Sequence, residues 1–192
     1  MVHLVQSSRK ILQDLAPLDR QGWLAGQSAE LRAWFAENGR WRQYAAGEIL
    51  YLHGDAPDAM YGLGSGALEI HFAPVGAEPV TLHRAEPGFW IGESALLSGE
   101  ERIISLSAAV EGRVFRVPAA AIRNLVEARP EHWRAFYELS HANTRTALVL
   151  LSEALSLTPR ARLARLLLRL SQSQAEIRVY VVQHVNIAAA EP

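Results

Sequence analysis

The sequence predicts an α+β fold that is mainly β, a β sandwich or jelly roll flanked by helices. Between Trp41 and Val117, short apolar segments are separated by clusters of glycine, proline and aspartate. Several of these segments alternate apolar and polar residues, which is the period of half-buried strands. Outside this region, apolar residues recur with the helical period instead. The chain of 192 residues, 49% of them hydrophobic, is long enough for a packed core.

The apolar segments are the predicted strands. They are Ile49–Leu52, Met60–Leu63, Ala67–Phe72, Val80–His83, Ile103–Val110 and Arg113–Val117. Glycine-containing dipeptides and tripeptides lie where hairpin turns are needed. The expected turns are Gly47–Glu48, Gly54–Asp55, Gly64–Gly66 and Val75–Gly76.

Helical patterns precede and follow the predicted strands. Ser28 is expected to cap a first helix, and Gly39 to end it in a left-handed conformation. After Pro118, a short helix is predicted with an apolar side formed by Ile122, Leu125 and Val126. Pro130 suits the first turn of a long helix that runs to about residue 157. Thr158-Pro159 then has the cap-and-proline pattern of another helix start.

Composition narrows the class of protein. The formal net charge is −1, so the chain as a whole lacks the basic footprint of a nucleic-acid-binding protein. It contains no cysteine, which excludes disulfides, cysteine-ligated zinc and iron–sulfur clusters. Met1 to Lys10 lack the apolar run of a signal peptide and no segment has membrane-span length, so a cytoplasmic protein is predicted.

The most informative residues for function are Gly92, Glu93 and Arg102. Free backbone amides at a helix start attract phosphate, and an arginine adds a charge-assisted grip on the same anion. A carboxylate beside a phosphate site is useful if it accepts hydrogen bonds from sugar hydroxyls. The three residues therefore indicate a pocket for a small phosphate ester that carries a ribose, such as a cyclic nucleotide.

Sequence fragments on both sides of this pocket carry a family resemblance. Gly47–Tyr51, Gly54–Asp55, Met60–Leu63 and Gly66–Ile70, in this order, resemble the signature of cyclic nucleotide-binding domains. Gly92-Glu93 with Arg102 resembles their phosphate-binding cassette. A long helix followed by Thr158–Ala164 is similar to bacterial regulators of the CRP/FNR (catabolite activator) family.

The resemblance implies four regions and their roles. They are an N-terminal helical segment (1–40), an effector-binding β-roll (41–129), a dimerisation helix (130–157) and an incomplete winged helix-turn-helix region (158–192). Glu93 is implied to accept from the ribose hydroxyl and Arg102 to pair with the cyclic phosphate of an effector such as cAMP. The implied ligand-binding residues are Gly92, Glu93, Ser94, Arg102, Ile103, Thr144, Ala147 and Leu148.

The long helix is expected to form a homodimer. Its seam keeps a repeat of 3.5 residues, and polar residues within such a seam fix its register. The implied interface residues are Trp133, Phe136, Tyr137, Ser140, Thr144, Ala147, Leu151 and Ala154.

Three departures from the family pattern affect these expectations. Ile103 stands where cAMP-binding members usually carry serine or threonine, so it removes a hydroxyl donor and adds bulk beside the anion. Ala147 and Leu148 stand where the base is expected, so base recognition by hydroxyl groups is weakened. Ile187–Ala190 resembles the first turns of a helix-turn-helix, but the sequence stops there, so no complete recognition helix and no specific DNA binding are expected.

Two alternatives remain at the level of sequence. In one of them, the chain is a ligand-free dimerisation module that pairs with or sequesters a partner regulator. Glu93 and Arg102 then form an internal salt bridge. In the other, some of the scattered histidines bind haem, although none are spaced as a helical metal-binding pair. No catalytic triad, metal cluster or Walker-type loop is apparent, so neither an enzyme nor a resident cofactor or metal is predicted.

Overall fold

The computed structural model describes residues 15–73 and 78–173. The strands are β1 (Arg40–Tyr44), β2 (Ile49–Tyr51), β3 (Ala59–Phe72), β4 (Val80–Ala85), β5 (Trp90–Ile91) and β6 (Ser105–Pro118). The α-helices are α1 (Ala29–Asn38), α2 (Glu93–Ser98), α3 (Ala119–Ala128), α4 (Trp133–Ser156) and α5 (Pro159–Ser173). Short 3₁₀ turns at Leu24–Gly26 and Pro130–His132 precede α1 and α4.

The six strands pair as one antiparallel sheet in the described part of the chain. Its central path runs β1-β6-β3-β4, with β2 paired to β6 and β5 paired to β3. Together with the flanking helices and the long α4, this confirms the predicted α+β, mainly β fold.

The central pair of strands differs from the sequence prediction. Gly64–Gly66 was expected to form a hairpin turn, but it lies inside β3, which continues for 14 residues beside an equally long β6. The register shifts at Ser65 and Ala67 instead, so the segment is a β-bulge. Gly66 has a φ of +83°, and a Cβ atom there would lie 2.4 Å from the carbonyl oxygen of Glu111. The prediction was wrong because a glycine pair marks a bulge as readily as a turn.

The other predicted turns have different outcomes. Chain reversals occur at Gly47 and Gly54, where backbone hydrogen bonds join Glu48 to Ala45 and Asp55 to Leu52. The turn expected at Val75–Gly76 lies outside the described residues. β1 and the two-residue β5 were not predicted, because β1 is rich in charged and polar residues and β5 is too short to show a period.

The ends of α1 show one correct and one wrong prediction. Ser28 caps the helix, since its Oγ accepts a hydrogen bond from the amide of Leu31 at 3.2 Å. Gly39 was expected in the left-handed region, but its φ is −105° and the backbone is extended. A Cβ atom at this glycine would lie 2.1 Å from the ring of Phe115. Close packing of α1 on the sheet therefore explains the glycine.

The helices pack through a largely aromatic core. Trp23, Phe35, Trp90 and Phe136 contact one another with ring centroids 5.2–6.3 Å apart. The first turns of α4 are further anchored because the indole N–H of Trp23 donates to the carbonyl of Ala135 at 2.8 Å. On α3, the predicted apolar residues Ile122, Leu125 and Val126 are buried.

The chain divides into two compact units, Met1–Arg145 and Thr146–Pro192. The first contains the sheet, α1 to α3 and the first half of α4. Within the second, the guanidinium of Arg165 pairs with Glu153 at 3.1 Å, and Thr158 caps α5 by accepting from the amide of Ala161. The helix-turn-helix fragment expected at Ile187–Ala190 lies outside the described residues. None of the described helices is both long enough and apolar enough to cross a membrane.

Candidate functional site

The site is built around the turn that joins β5 to α2. Gly92 occupies this turn with a φ of +102°, a conformation that favours glycine. A Cβ atom at this position would lie 3.0 Å from Nη1 of Arg102 and 3.1 Å from the carbonyl oxygen of Ala59. Glycine is therefore required by both the backbone angle and the close approach of the arginine.

Glu93 follows this turn as a buried carboxylate, only 3% exposed. Its Oε1 accepts two hydrogen bonds from α4, one from Oγ of Ser140 and one from Nδ2 of Asn143, each at 3.1 Å. Burial raises the pKa of the Glu93 carboxyl, while hydrogen bonds from backbone amides, Asn143 and Ser140 oppose that rise. The carboxylate is thus kept out of water and held by donors from a distant helix.

Arg102 is the second buried charge, 2% exposed. Its Nη2 donates to Oδ1 of Asp58 at 2.9 Å and to the carbonyl of Ala59 at 2.7 Å. Its Nε is buried and has no hydrogen-bond partner among the described residues. The guanidinium lies 3.8 Å from the ring centroid of Tyr51, a cation–π contact.

Asp58 is shared between two arginines. Its Oδ2 accepts from Nη2 of Arg116 at 2.9 Å while Oδ1 accepts from Arg102. Partial burial raises the pKa of the Asp58 carboxyl, but the hydrogen bonds and charges of Arg116 and Arg102 outweigh this and lower it overall. Asp58 therefore holds the Arg102 side chain in place from one side.

Tyr51 links the two buried charges. It is 5% exposed, and its hydroxyl has no hydrogen-bond partner within the described ranges. Burial raises the pKa of its phenol, the charge of Arg102 lowers it, and that of Glu93 raises it. Arg102 also lies against Gly92, the residue that precedes Glu93. No ion pair joins Glu93 to Arg102 in the described part of the chain, so the salt bridge considered from sequence is not formed.

The structure brings three predicted ligand residues together and leaves others at the surface. Gly92, Glu93 and Arg102 form the site, whereas Ser94 and Thr144 are exposed. Ile103 is 64% exposed, so most of its side chain lies in solvent. Ala147 and Leu148 lie further along α4, in the second unit, and are exposed.

Four residues around the site were not assigned to it from sequence. They are Tyr51, Asp58, Ser140 and Asn143. Ser140 was assigned to the dimer seam because it fits the helical repeat, yet it donates to Glu93 within its own chain. Phe136 was also assigned to that seam, but it is fully buried in the aromatic core and is unavailable to a partner. The sequence did contain a signal for these contacts, because Ser140 and Asn143 are polar residues on a face of α4 that is otherwise apolar. Such residues can be hydrogen-bond partners of a buried carboxylate.

The pKa of Glu93 leads to a prediction on stability. A carboxyl with a raised pKa in the folded state stabilises the fold fully at pH values below its unfolded pKa. That contribution is lost as the pH rises through the folded pKa. As the pH rises above the ordinary glutamate pKa of about 4.3, Glu93→Gln should therefore gain unfolding free energy relative to wild type. Urea unfolding at several pH values measures this difference.

The matched control for this prediction is Glu131→Gln, which makes the same change at an exposed glutamate. Its unfolding free energy should follow that of wild type throughout the pH range. A difference between wild type and Glu93→Gln that does not change with pH would contradict a buried, ionisable Glu93.

The part of the chain that contains Gly92, Glu93 and Arg102 matches a known protein family. Residues 41–129 match the family model described as the cyclic nucleotide-binding domain. A cAMP-dependent protein kinase regulatory subunit from Dictyostelium discoideum is 28% identical over 95 residues, which are 50% of this chain and 29% of that protein. The chain therefore spans less than a third of the length of this curated relative.

Solved structures share the fold at lower identity. The catabolite activator protein of Thermus thermophilus has a TM-score of 0.58 at 23% identity, covering 68% of this chain and 61% of that one. The c-di-GMP-responsive regulator CLP of Xanthomonas campestris has a TM-score of 0.61 at 19% identity, covering 75% and 72%. Residues 41–129 thus match the family of cyclic nucleotide-binding domains, within a fold that is similar to that of catabolite-activator-type regulators.

Proposed function

We propose that this chain is the effector-sensing, dimerising module of a CRP/FNR-type transcription regulator. Its effector is a cyclic nucleotide or a related small anion, which it binds weakly. The protein acts without catalysis, in the cytoplasm. What supports this most directly is the pair of buried, opposite charges, Glu93 and Arg102, which lie at the same Gly92 turn and are not paired with each other in the described part of the chain.

The free donors of Arg102 suit a phosphate. Asp58 and Ala59 are bound by Nη2 alone, and the buried Nε has no hydrogen-bond partner within the described residues. Nη1 lies beside the Gly92 turn. Glu93 then offers an acceptor for a ribose hydroxyl, a group that a free phosphate or sulfate lacks.

Calorimetry with cAMP and cGMP, and with c-di-GMP as a third nucleotide, tests the proposal. Similarity to a cAMP-dependent kinase subunit favours cAMP, whereas the regulator CLP is described as c-di-GMP-responsive. Saturable heat with one of these nucleotides supports the proposal. No heat with any of them at millimolar concentration, from protein that is folded by circular dichroism, refutes it.

A substitution at Ile103 should strengthen binding. In related cAMP-binding sequences this position supplies a hydroxyl, and Ile103→Thr would add one next to Arg102. A hydrogen bond to a charged group contributes about 1.5–3 kcal/mol, so affinity for cAMP should rise about ten- to a hundredfold. Ile103→Val, which keeps the β-branch without the hydroxyl, is the matched control and should bind as wild type does. Equal affinity of the Thr and Val variants would contradict the prediction.

Two observations favour a second function, a ligand-free dimerisation module that pairs with or sequesters a partner regulator. The guanidinium of Arg102 already has an anionic partner in Asp58, and the hydroxyl at position 103 is missing. In that case no nucleotide binds, while the chain still associates with itself. The calorimetric and the association experiments together distinguish the two functions.

The dimer proposal rests on the exposed apolar side chains of α4. After Phe136 is removed from the predicted interface, Trp133, Tyr137 and Leu151 remain as its large exposed residues, and Leu148 and Leu155 are exposed as well. Solvent exposure of so many apolar side chains on one helix is typical of an interface.

Leu151→Glu should therefore convert a dimer into a monomer, because it places a charge within the apolar seam. Light scattering at tens of micromolar protein measures the molar mass. The matched control is Leu82→Glu on β4, an exposed leucine of the sheet, which should leave the dimer intact. A wild-type chain that is already monomeric at this concentration contradicts the dimer.

A further inference from the structure

Ser140 and Asn143 connect the candidate pocket to the long helix. They lie three residues apart on α4, so they are on the same helix face. Both donate to the same oxygen of Glu93, at 3.1 Å each. The Nδ2 group of Asn143 also donates to the carbonyl of Trp90 at 3.1 Å, so this one amide holds both the strand before the turn and the carboxylate after it.

Glu93 depends on these donors. It is almost completely buried, and none of the salt bridges within the described residues involves it. A buried carboxylate without a cationic partner is stabilised by hydrogen bonds or becomes neutral. An ionised carboxylate has about four acceptor positions on its two oxygens. The two bonds to Oε1 both come from α4 and therefore fix the orientation of the carboxylate.

We infer that Ser140 and Asn143 are positioning residues for Glu93, which hold its carboxylate ready to accept the ribose hydroxyl of a bound nucleotide. This inference rests on the proposed function, and it assigns the inner face of the first half of α4 to the pocket. The exposed residues of the same helix stay available for dimer formation.

The hydroxyl itself provides the test. A 3′,5′-cyclic nucleotide has a single free ribose hydroxyl, at the 2′ position, so cAMP and 2′-deoxy-cAMP differ only in the group that Glu93 would accept. Wild type should bind cAMP about tenfold more tightly than the deoxy compound, the effect of one hydrogen bond to a charged group. In Asn143→Leu this ratio of dissociation constants should fall to within about threefold of one, as it should in Glu93→Gln.

Three further variants make the test specific. Ser140→Ala is a milder change that should lower the ratio partly, and Ser140→Thr retains the hydroxyl donor and should restore it. Asn124→Leu makes the same change as Asn143→Leu at an exposed position of α3 and should leave the ratio at the wild-type value. Circular dichroism and thermal unfolding check that each variant is folded, and Ser140→Ala carries the test if Asn143→Leu is not.

The outcomes separate the inference from the proposed function. If wild type binds neither compound, the proposed function fails and the inference fails with it. If wild type binds both compounds equally, nucleotide binding stands but Glu93 does not accept the hydroxyl, and the inference is overturned. If Asn143→Leu and Ser140→Ala weaken both compounds by the same factor and keep the wild-type ratio, their role is merely structural, and the inference is again overturned.

Discussion

Arg102→Gln is expected to weaken cyclic-nucleotide binding about a hundredfold. The guanidinium is buried, and it is the only cation that contacts both the Gly92 turn and Asp58 in the described part of the chain. Removing one partner of a buried, hydrogen-bonded charge pair costs about 2–5 kcal/mol, which is roughly thirtyfold to several thousandfold in the dissociation constant. Calorimetry with cAMP on the wild type and the variant measures the loss.

Arg116→Gln is the matched control for this prediction. Arg116 donates to the other oxygen of the same carboxylate, Asp58, but it is partly exposed. The same change there should alter affinity by a few-fold at most, because exposed ion pairs contribute little. An equal loss in both variants would show that Asp58, through its position, determines binding and that the Arg102 guanidinium does not.

Features set by neighbouring residues were predictable from the sequence. The cap at Ser28, the apolar face of α3 and the helix start at Thr158 each depend on residues within one or two turns. That Gly92, Glu93 and Arg102 lie close together was predictable for the same reason, because all three fall within a segment of eleven residues. Short spacing makes a shared site visible without knowledge of the fold.

Features set by distant contacts were not predictable. The partners of the two buried charges lie 44, 47 and 50 residues away along the chain, at Asp58, Ser140 and Asn143. No local period indicates such contacts. The bulge at Gly64–Gly66 was misassigned for a related reason, because only the strand opposite decides whether a glycine pair turns the chain or continues it.

The largest effect on stability is expected from Trp90→Ala. Trp90 is 1% exposed and lies at the centre of the aromatic core, 5.2 Å from Phe35 and 5.6 Å from Trp23 between ring centroids. It also fills the space above Gly62, where a Cβ atom would approach its ring to 2.6 Å. Truncating a buried tryptophan to alanine costs about 3–5 kcal/mol, a large part of the roughly 5–15 kcal/mol that stabilises a domain. Urea unfolding should show a correspondingly lower midpoint.

Two comparisons show whether this loss arises from the core. Phe72→Ala removes a large aromatic side chain from the same sheet, but Phe72 is 38% exposed, so the midpoint should change little. Trp90→Phe should cost clearly less than Trp90→Ala, because a ring remains and the indole N–H of Trp90 has no hydrogen-bond partner within the described ranges. Equal losses for Phe72→Ala and Trp90→Ala would contradict a central role for Trp90.

Trp90→Ala should also affect ligand binding. Trp90 is separated from Gly92 by one residue and from Glu93 by two, and its carbonyl accepts a hydrogen bond from Asn143. Loss of the ring loosens the strand from which the phosphate turn starts, so Trp90→Ala should also weaken cAMP binding at temperatures where the variant is still folded. Trp90→Phe should retain most of the affinity. Unchanged affinity in folded Trp90→Ala would show that the turn is held by Arg102 and α4 without support from the core.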